Sequence, residues 1–195
     1  TPVAKTYPSE MGILAISAGM QCLGGYGYCD EFPLELYYRD ARIHPIHEGT
    51  TGIQGITLLG RNVTMKNGAA FKLFLAEVEE SIRQAEEFAE LKPYARSLKE
   101  GLDRLTKVTL QLIGVAQSKG AEVFLADATL YLEFFGIVSI AWQWLLQAIH
   151  IQKSLRQNPA GSDADFYRGK MYAFRYFFRY ELPKIEGLAK RLTDG

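Results

Sequence analysis

A carboxylate can act as a general base when its surroundings raise its pKa toward neutrality. One glutamate in this chain has the setting for it. Glu48 carries the single full charge between Ile43 and Leu59, within the stretch RDARIHPIHEGTTGIQGITLLGR that runs from Arg39 to Arg61. Gly49-Thr50-Thr51-Gly52 follow at once. Pro45 stops a helix arriving from the left. Thr50 or Thr51 can cap a helix leaving to the right, with Ile53, Ile56, Leu59 and Gly60 expected on one side of it. Glu48 is therefore expected on a turn that opens a helix, where backbone N–H groups are unpaired. Burial there would raise its pKa into the working range of a base. A solvated glutamate that suits the helix dipole is the plainer alternative. His44 and His47 are separated by Pro45 and joined by no acidic cluster, so no metal site is expected. Cys22 and Cys29 have no partner Cys or His nearby, which argues for reduced core thiols in a cytosolic protein.

Three blocks of sequence carry a resemblance. They are Gln21-Cys22-Leu23-Gly24-Gly25-Tyr26-Gly27-Tyr28, then Tyr38-Arg39-Asp40-Ala41-Arg42-Ile43, then Ile46-His47-Glu48-Gly49-Thr50-Thr51-Gly52-Ile53-Gln54. In order and spacing they resemble the C-terminal signature of the acyl-CoA dehydrogenases, a flavoprotein family. The resemblance covers about the first third of the chain; the rest is similar to the extra helical domain that some bacterial members carry. It implies an FAD-dependent enzyme of fatty-acid β-oxidation that converts an acyl-CoA to a trans-2-enoyl-CoA, with Glu48 as the base for the α-proton. It also implies that Gly49 packs against the thioester, that Thr50 and Gly52 touch FAD, and that Gln21, Gly24 and Gly25 lie against the adenosine diphosphate part of an FAD bound mainly by a partner subunit. Electrons would pass to an electron-transfer flavoprotein. Arg39 and Asp40 would form a structural ion pair beneath the site. His47 stands where the family often has Tyr, a departure that touches the substrate pocket, and Gly52 stands where a polar residue is frequent.

The elements that must position these residues read as helices throughout, with no sustained period-2 alternation. An all-α antiparallel bundle is expected, divided into residues 1–65, a segment of the family's C-terminal bundle, and residues 66–195, an added helical domain. A first helix is expected from Pro8-Ser9, with Met11, Leu14, Ala15, Ala18 and Cys22 as its apolar stripe, ended by Gly24, Gly25 and Gly27. Pro33 opens a second that carries Arg39 and Asp40. Lys66-Asn67-Gly68 is a turn. Phe71, Phe74, Leu75, Val78, Ile82 and Ala85 make one stripe. Tyr94, Leu98, Leu102, Leu105, Thr109, Leu112 and Ala116 make the next, after Pro93 and before Lys119-Gly120. Phe134 to Gln152 carries no full charge and is long enough to span a bilayer, but its Ser and Gln residues fit a helix central to a bundle better. After the loop 157–162, Ser162 or Asp163 should cap an aromatic helix from Phe166 to Tyr180, and Pro183 should open a last one.

Charge sets further limits. Lys+Arg and Asp+Glu both number 22, so no net charge draws nucleic acid or an anionic membrane. The arginines among the aromatics of residues 166–180 then read as interface stacking, not as a single-strand binding surface. Thr1 is not followed by a basic, then apolar leader, so no secretory signal is expected. The resemblance implies a homo-oligomer, a dimer if residues 68–195 cover the face that tetrameric relatives use; the unpaired cysteines make a cytoplasmic location the expectation. A non-catalytic helical interaction module is the alternative from another class; an acyl-CoA oxidase, or a nucleic-acid-associated relative, is the alternative on the same fold.

Overall fold

The computed structural model describes residues 1–157, 159 and 161–194. All regular structure among them is helical, with no strand. Helix α1 spans Pro2–Cys22 and passes through a short 3₁₀ turn, Gly24–Tyr28, toward α2, Leu34–Ala41. Helix α3, Thr51–Ile56, continues into a π-turn at Thr57–Asn62. Then come α4 (Met65–Glu86), α5 (Lys92–Lys119), α6 (Ala121–Leu125) and α7 (Ala128–Leu155). Helix α8 (Ser162–Tyr176) runs into a second π-turn, Phe177–Glu181, and α9 (Ile185–Thr193) closes the chain.

Helix α7 is the axis of the bundle. Helices α1, α3, α4, α5, α8 and α9 all pack against it. Its Tyr131, Phe134, Val138, Ala141, Leu145 and Ala148 are fully buried. It is the one helix among the described residues long and apolar enough to cross a membrane, but 56% of its most apolar window is already buried against its own neighbours. The expected stripes of α4 and α5 face it. Val78, Ile82 and Ala85 on α4 and Leu98, Leu102, Leu105, Thr109 and Leu112 on α5 are buried, while Phe74 and Leu75 are half-buried against the same core. Two polar bonds cross this interior. The Trp142 Nε1–H donates to Ser81 Oγ at 2.7 Å, and the Tyr131 hydroxyl lies 2.7 Å from Thr109 Oγ1. The charged faces point outward, where Lys99 bridges Glu79 and Asp103 at 3.0 and 2.8 Å.

The turn expected at residues 66–68 is present. Lys66, Asn67 and Gly68 all have positive φ, which interrupts α4 near its start. Pro93 lies in the first turn of α5, where its missing N–H costs nothing. The α8 cap is Gly161, one residue before the expected Ser162. Asn158 and Ala160 of the loop expected at 157–162 lie outside the described residues.

The first third departs from expectation in three ways. Helix α1 begins at Pro2, not at Pro8, which lies inside it. The buried face of α1 is Pro2, Thr6 and Ile13, so Leu14, Ala15, Ala18 and Cys22 of the expected stripe face outward. Alanine-rich spacing fits two faces of one helix equally well, and α7 takes the face that carries Tyr7. On α3 the buried side is Gly55, Leu58 and Leu59, while Ile53 and Ile56 stay 53% and 44% exposed. Gly55, Leu58 and Leu59 share one face at i, i+3 and i+4, and it is the bare Gly55 backbone, 2.7 Å from the Ala128 carbonyl oxygen at the place a Cβ would take, that sets this face against α7. Both cysteines are free, as expected, but exposed, because the C-terminal end of α1 and the turn after it project from the bundle.

A glutamate turn held by the first helix

Between α2 and α3 the chain makes a compact turn. It leaves α2 through hydrogen bonds from the Ile46 and His47 amides to the Ile43 carbonyl, both 3.0 Å, and places Pro45 in the interior. The Thr51 amide returns to the Pro45 carbonyl at 3.1 Å. Thr50 then caps α3, its Oγ1 accepting from the Ile53 amide at 3.4 Å. Of the two candidate caps, Thr50 is the one used. Thr51 instead donates its hydroxyl to Glu10 Oε1 on α1 at 2.6 Å.

Glu48 and Gly49 form the apex. Both are left-handed, with φ of 53° and 89°. Glycine adopts that conformation freely and glutamate does not, so a stored local strain of roughly 1–2 kcal/mol sits at Glu48. Gly49 has a second reason to be glycine: a Cβ there would lie 2.6 Å from Gln54 Nε2. That amide donates to the Glu48 carbonyl at 3.3 Å. The Gly49 carbonyl accepts from Lys5 Nζ, on the first turns of α1, at 2.5 Å.

The Glu48 side chain is exposed. The expected burial is therefore not supplied by this chain's own residues, and any desolvation of the carboxylate must come from what covers the turn. His47 is exposed as well, with Nδ1 bonded to the Ile43 carbonyl at 2.9 Å and its ring 5.7 Å from that of His44. No group of three metal-ligating side chains comes together among the described residues. Arg39 and Asp40 are both exposed, and no ion pair joins them; the expected pair beneath the site does not form. Neighbours on one helix turn cannot face one another, which is the physical reason.

The sequence-predicted residues fall into two patches. Glu48, His47, Gly49, Thr50 and Gly52 are gathered at the turn. Gln21, Gly24 and Gly25 are exposed at the other end of α1, beside an open cleft lined by Ser17, Met20, Gln21, Gly24, Gly27, Tyr28 and Tyr38. Lys5 marks the first patch and Gln21 the second, which puts about 24 Å of helix axis between them at 1.5 Å per residue. A Cβ at Gly24 or Gly25 would meet no atom within 4 Å, so this patch presents bare backbone to an incoming group.

A cleft of about 310 Å³ lies behind the turn, between α1, the start of α3 and the start of α7. Thr6, Tyr7, Glu10, Thr51 and Glu133 are among its lining. Burial, with help from the Glu181 and Glu133 carboxylates, pushes the Tyr7 phenol up to about 12. The tie residues Lys5, Glu10 and Gln54 were not legible as site residues. Lys5 lies 44 positions from its partner, and no local spacing announces such a pairing.

An all-helical bundle with a capped, left-handed glutamate turn is the class these features define. The family described as "Acyl-CoA dehydrogenase, C-terminal domain" matches residues 1–63, and that described as "Acetyl-CoA dehydrogenase C-terminal like" matches residues 74–195. The chain belongs to the acyl-CoA dehydrogenase family and corresponds to its C-terminal region. It is 30% identical over 201 residues to 3-methylmercaptopropionyl-CoA dehydrogenase of Ruegeria pomeroyi, an alignment that covers 99% of this chain and 32% of that protein. It is 27% identical over 189 residues to the broad-specificity linear acyl-CoA dehydrogenase FadE5 of Mycobacterium tuberculosis, covering 94% of this chain and 31% of that one. Against the mitochondrial short-chain specific acyl-CoA dehydrogenase of Rattus norvegicus identity reaches 47%, over 58 residues that make up 30% of this chain and 14% of the other. The chain thus spans about a third of the length of the curated relatives that match it throughout.

Proposed function

We propose that this chain is the C-terminal part of an FAD-dependent acyl-CoA dehydrogenase, and that Glu48 is its catalytic base. The observation that carries the reading is the turn. A lone glutamate is held in a strained left-handed conformation at the mouth of a helix, and two residues just after it, Gly49 and Thr51, are tied to a second helix. Strain of this kind persists where the surroundings over-determine it, and it concentrates at functional positions.

In this reading the Glu48 carboxylate takes the α-proton of an acyl thioester. The electron pair of that C–H bond becomes the new bond between the α- and β-carbons. FAD, when bound, supplies the acceptor for the β-hydrogen and its electron pair. Gly49 offers a surface without a side chain to the thioester, and His47 borders the acyl pocket. Thr50 and Gly52, at the start of α3, would lie on the flavin side. Gln21, Gly24 and Gly25 would hold the adenosine diphosphate part, their bare backbone allowing close approach. The separation of the two patches along α1 suits an assembly in which each patch serves a different copy's site. The whole protein is then a homo-oligomer, a dimer if α4–α9 cover the face that would join two dimers, and it passes electrons to an electron-transfer flavoprotein. Residues 66–195 act as an added helical domain. The 195-residue chain alone holds one edge of the site and is inactive.

The parent protein, purified whole, should carry yellow flavin that a saturated acyl-CoA bleaches without oxygen. Failure of every acyl-CoA in a panel of short, medium and long chains to bleach it would reject the reading. Rapid reoxidation of the bleached form by oxygen, with peroxide released, would convert the assignment to an oxidase.

A further inference from the structure

We propose that Lys5 is a positioning residue for Glu48: its ammonium, by holding the Gly49 carbonyl, fixes the left-handed turn that aims the catalytic carboxylate. The inference rests on the reading of Glu48 as the base.

Beyond the Thr50 cap and the bonds to the Ile43 carbonyl, four bonds hold the turn. Two of them, from the Thr51 amide to the Pro45 carbonyl and from Gln54 Nε2 to the Glu48 carbonyl, lie within the segment 45–54 and move with it. The other two cross to α1. Thr51 Oγ1 reaches Glu10, which locates the start of α3 but not the apex. Lys5 Nζ reaches Gly49 at 2.5 Å, and among the described residues it is the one hydrogen bond that joins the apex to another helix. A charged donor to a carbonyl forms a stronger bond than a neutral amide does. Without it, an apex with φ of 53° at a non-glycine residue has reason to relax.

The position of Lys5 argues for a specific use. It follows Pro2 by three residues, at the positive end of a helix 21 residues long, where a cation opposes the dipole. No carboxylate lies within ion-pair distance of it among the described residues. Among the described residues, the polar partner of its ammonium is a backbone oxygen of the glutamate turn. The helix that carries it is itself seated. A Cβ on Gly136 of α7 would lie 2.9 Å from the Tyr7 ring, so α1 rests directly on the α7 backbone two residues beyond Lys5. The bundle axis, Tyr7, Lys5 and Gly49 thus form one mechanical chain. It ends at the residue beside Glu48.

The test uses the whole flavoprotein with Lys5→Met, Lys5→Gln and Lys5→Arg, and reads hydrogen exchange before any chemistry. In Lys5→Met and Lys5→Gln, amides in the segment 45–52 should exchange about tenfold faster while α7 keeps its protection; Lys5→Arg should restore most of it. Flavin content should be unchanged. With the acyl-CoA that reduces the wild-type flavin fastest, the reduction rate at saturation should fall roughly 10- to 100-fold in both uncharged variants. That is the range expected for a misplacement approaching 1 Å. The dissociation constant of the acyl-CoA should stay within about threefold, and the isotope effect from deuterium at the α-carbon should grow. Unchanged exchange in 45–52, or a loss of protection spread evenly over α1 and α7, overturns the inference. Glu48→Gln, run beside them, separates the two claims. If it bleaches at the wild-type rate, the base assignment falls. If it is slow while Lys5→Met and Lys5→Gln are fast, only the role of Lys5 falls.

Discussion

Gly55 is where the helix that follows Glu48 rests on the bundle axis, and Gly55→Ala tests how tight that seat is. The new Cβ would lie 2.7 Å from the Ala128 carbonyl oxygen, 2.8 Å from its carbon and 3.0 Å from the Thr129 nitrogen. All three are backbone atoms, so no rotamer change relieves them and α3 must lift from α7. Over-packing of this kind costs about 1–3 kcal/mol, and the rigidity of two helix backbones places it toward the upper end. Alanine returns up to about 1 kcal/mol in helix propensity. The net loss is about 1–2 kcal/mol, or roughly 2–8 °C in Tm for a chain of this size. Gly114 on α5 is the matched control. A Cβ there meets nothing within 4 Å, so Gly114→Ala should raise stability by up to about 1 kcal/mol. Urea unfolding followed by circular dichroism reads both. If Gly55→Ala proves as stable as wild type, or moves with Gly114→Ala, the close seating of α3 on α7 is wrong.

Further outcomes follow from the same contacts. Tyr131→Phe removes the buried bond to Thr109 Oγ1, which keeps its bond to the Leu105 carbonyl; urea unfolding should show a loss of about 1 kcal/mol. Burial raises the Tyr7 phenol from 10 to about 12 and pushes Tyr131 up as well. A raised folded-state pKa gives stability that is complete below pH 10 and is lost as pH climbs through the folded value. The urea midpoint should therefore hold level below pH 10 and fall above it, and Tyr7→Phe should flatten part of that fall. The isolated 195-residue chain should be colourless, strongly helical and cooperative on heating; stoichiometric flavin absorbance in the visible blue would contradict that.

The long helices were legible because their apolar stripes repeat over several turns. Phe71 to Ala85 and Leu98 to Leu112 have no other way to hide their side chains. Glu48 was legible through its neighbours: one charge in an apolar stretch, then Gly49 and a capping threonine. Its surroundings were not. Lys5 and Glu10 reach the turn from more than forty residues away, and a side-chain bond across that distance leaves no trace in spacing. The face of α1 was misread because Ala15 and Ala18 carry too little area to decide between two sides. The outward Ile53 and Ile56 were misread because a glycine, Gly55, and not the larger apolar residues, marks the face that α3 lays on α7. Arg39 and Asp40 look like a pair when written side by side, yet adjacent positions on a helix diverge.

The central claim is that Glu48 removes a proton. Glu48→Gln keeps the shape of the side chain and abolishes the base, so the most direct measurement is stopped-flow reduction of the flavin by acyl-CoA in the whole protein carrying this one change. The account predicts full flavin content and a reduction rate lowered at least 10²- to 10⁴-fold, the range that loss of a general base costs. Bleaching of the Glu48→Gln flavin at close to the wild-type rate would contradict it.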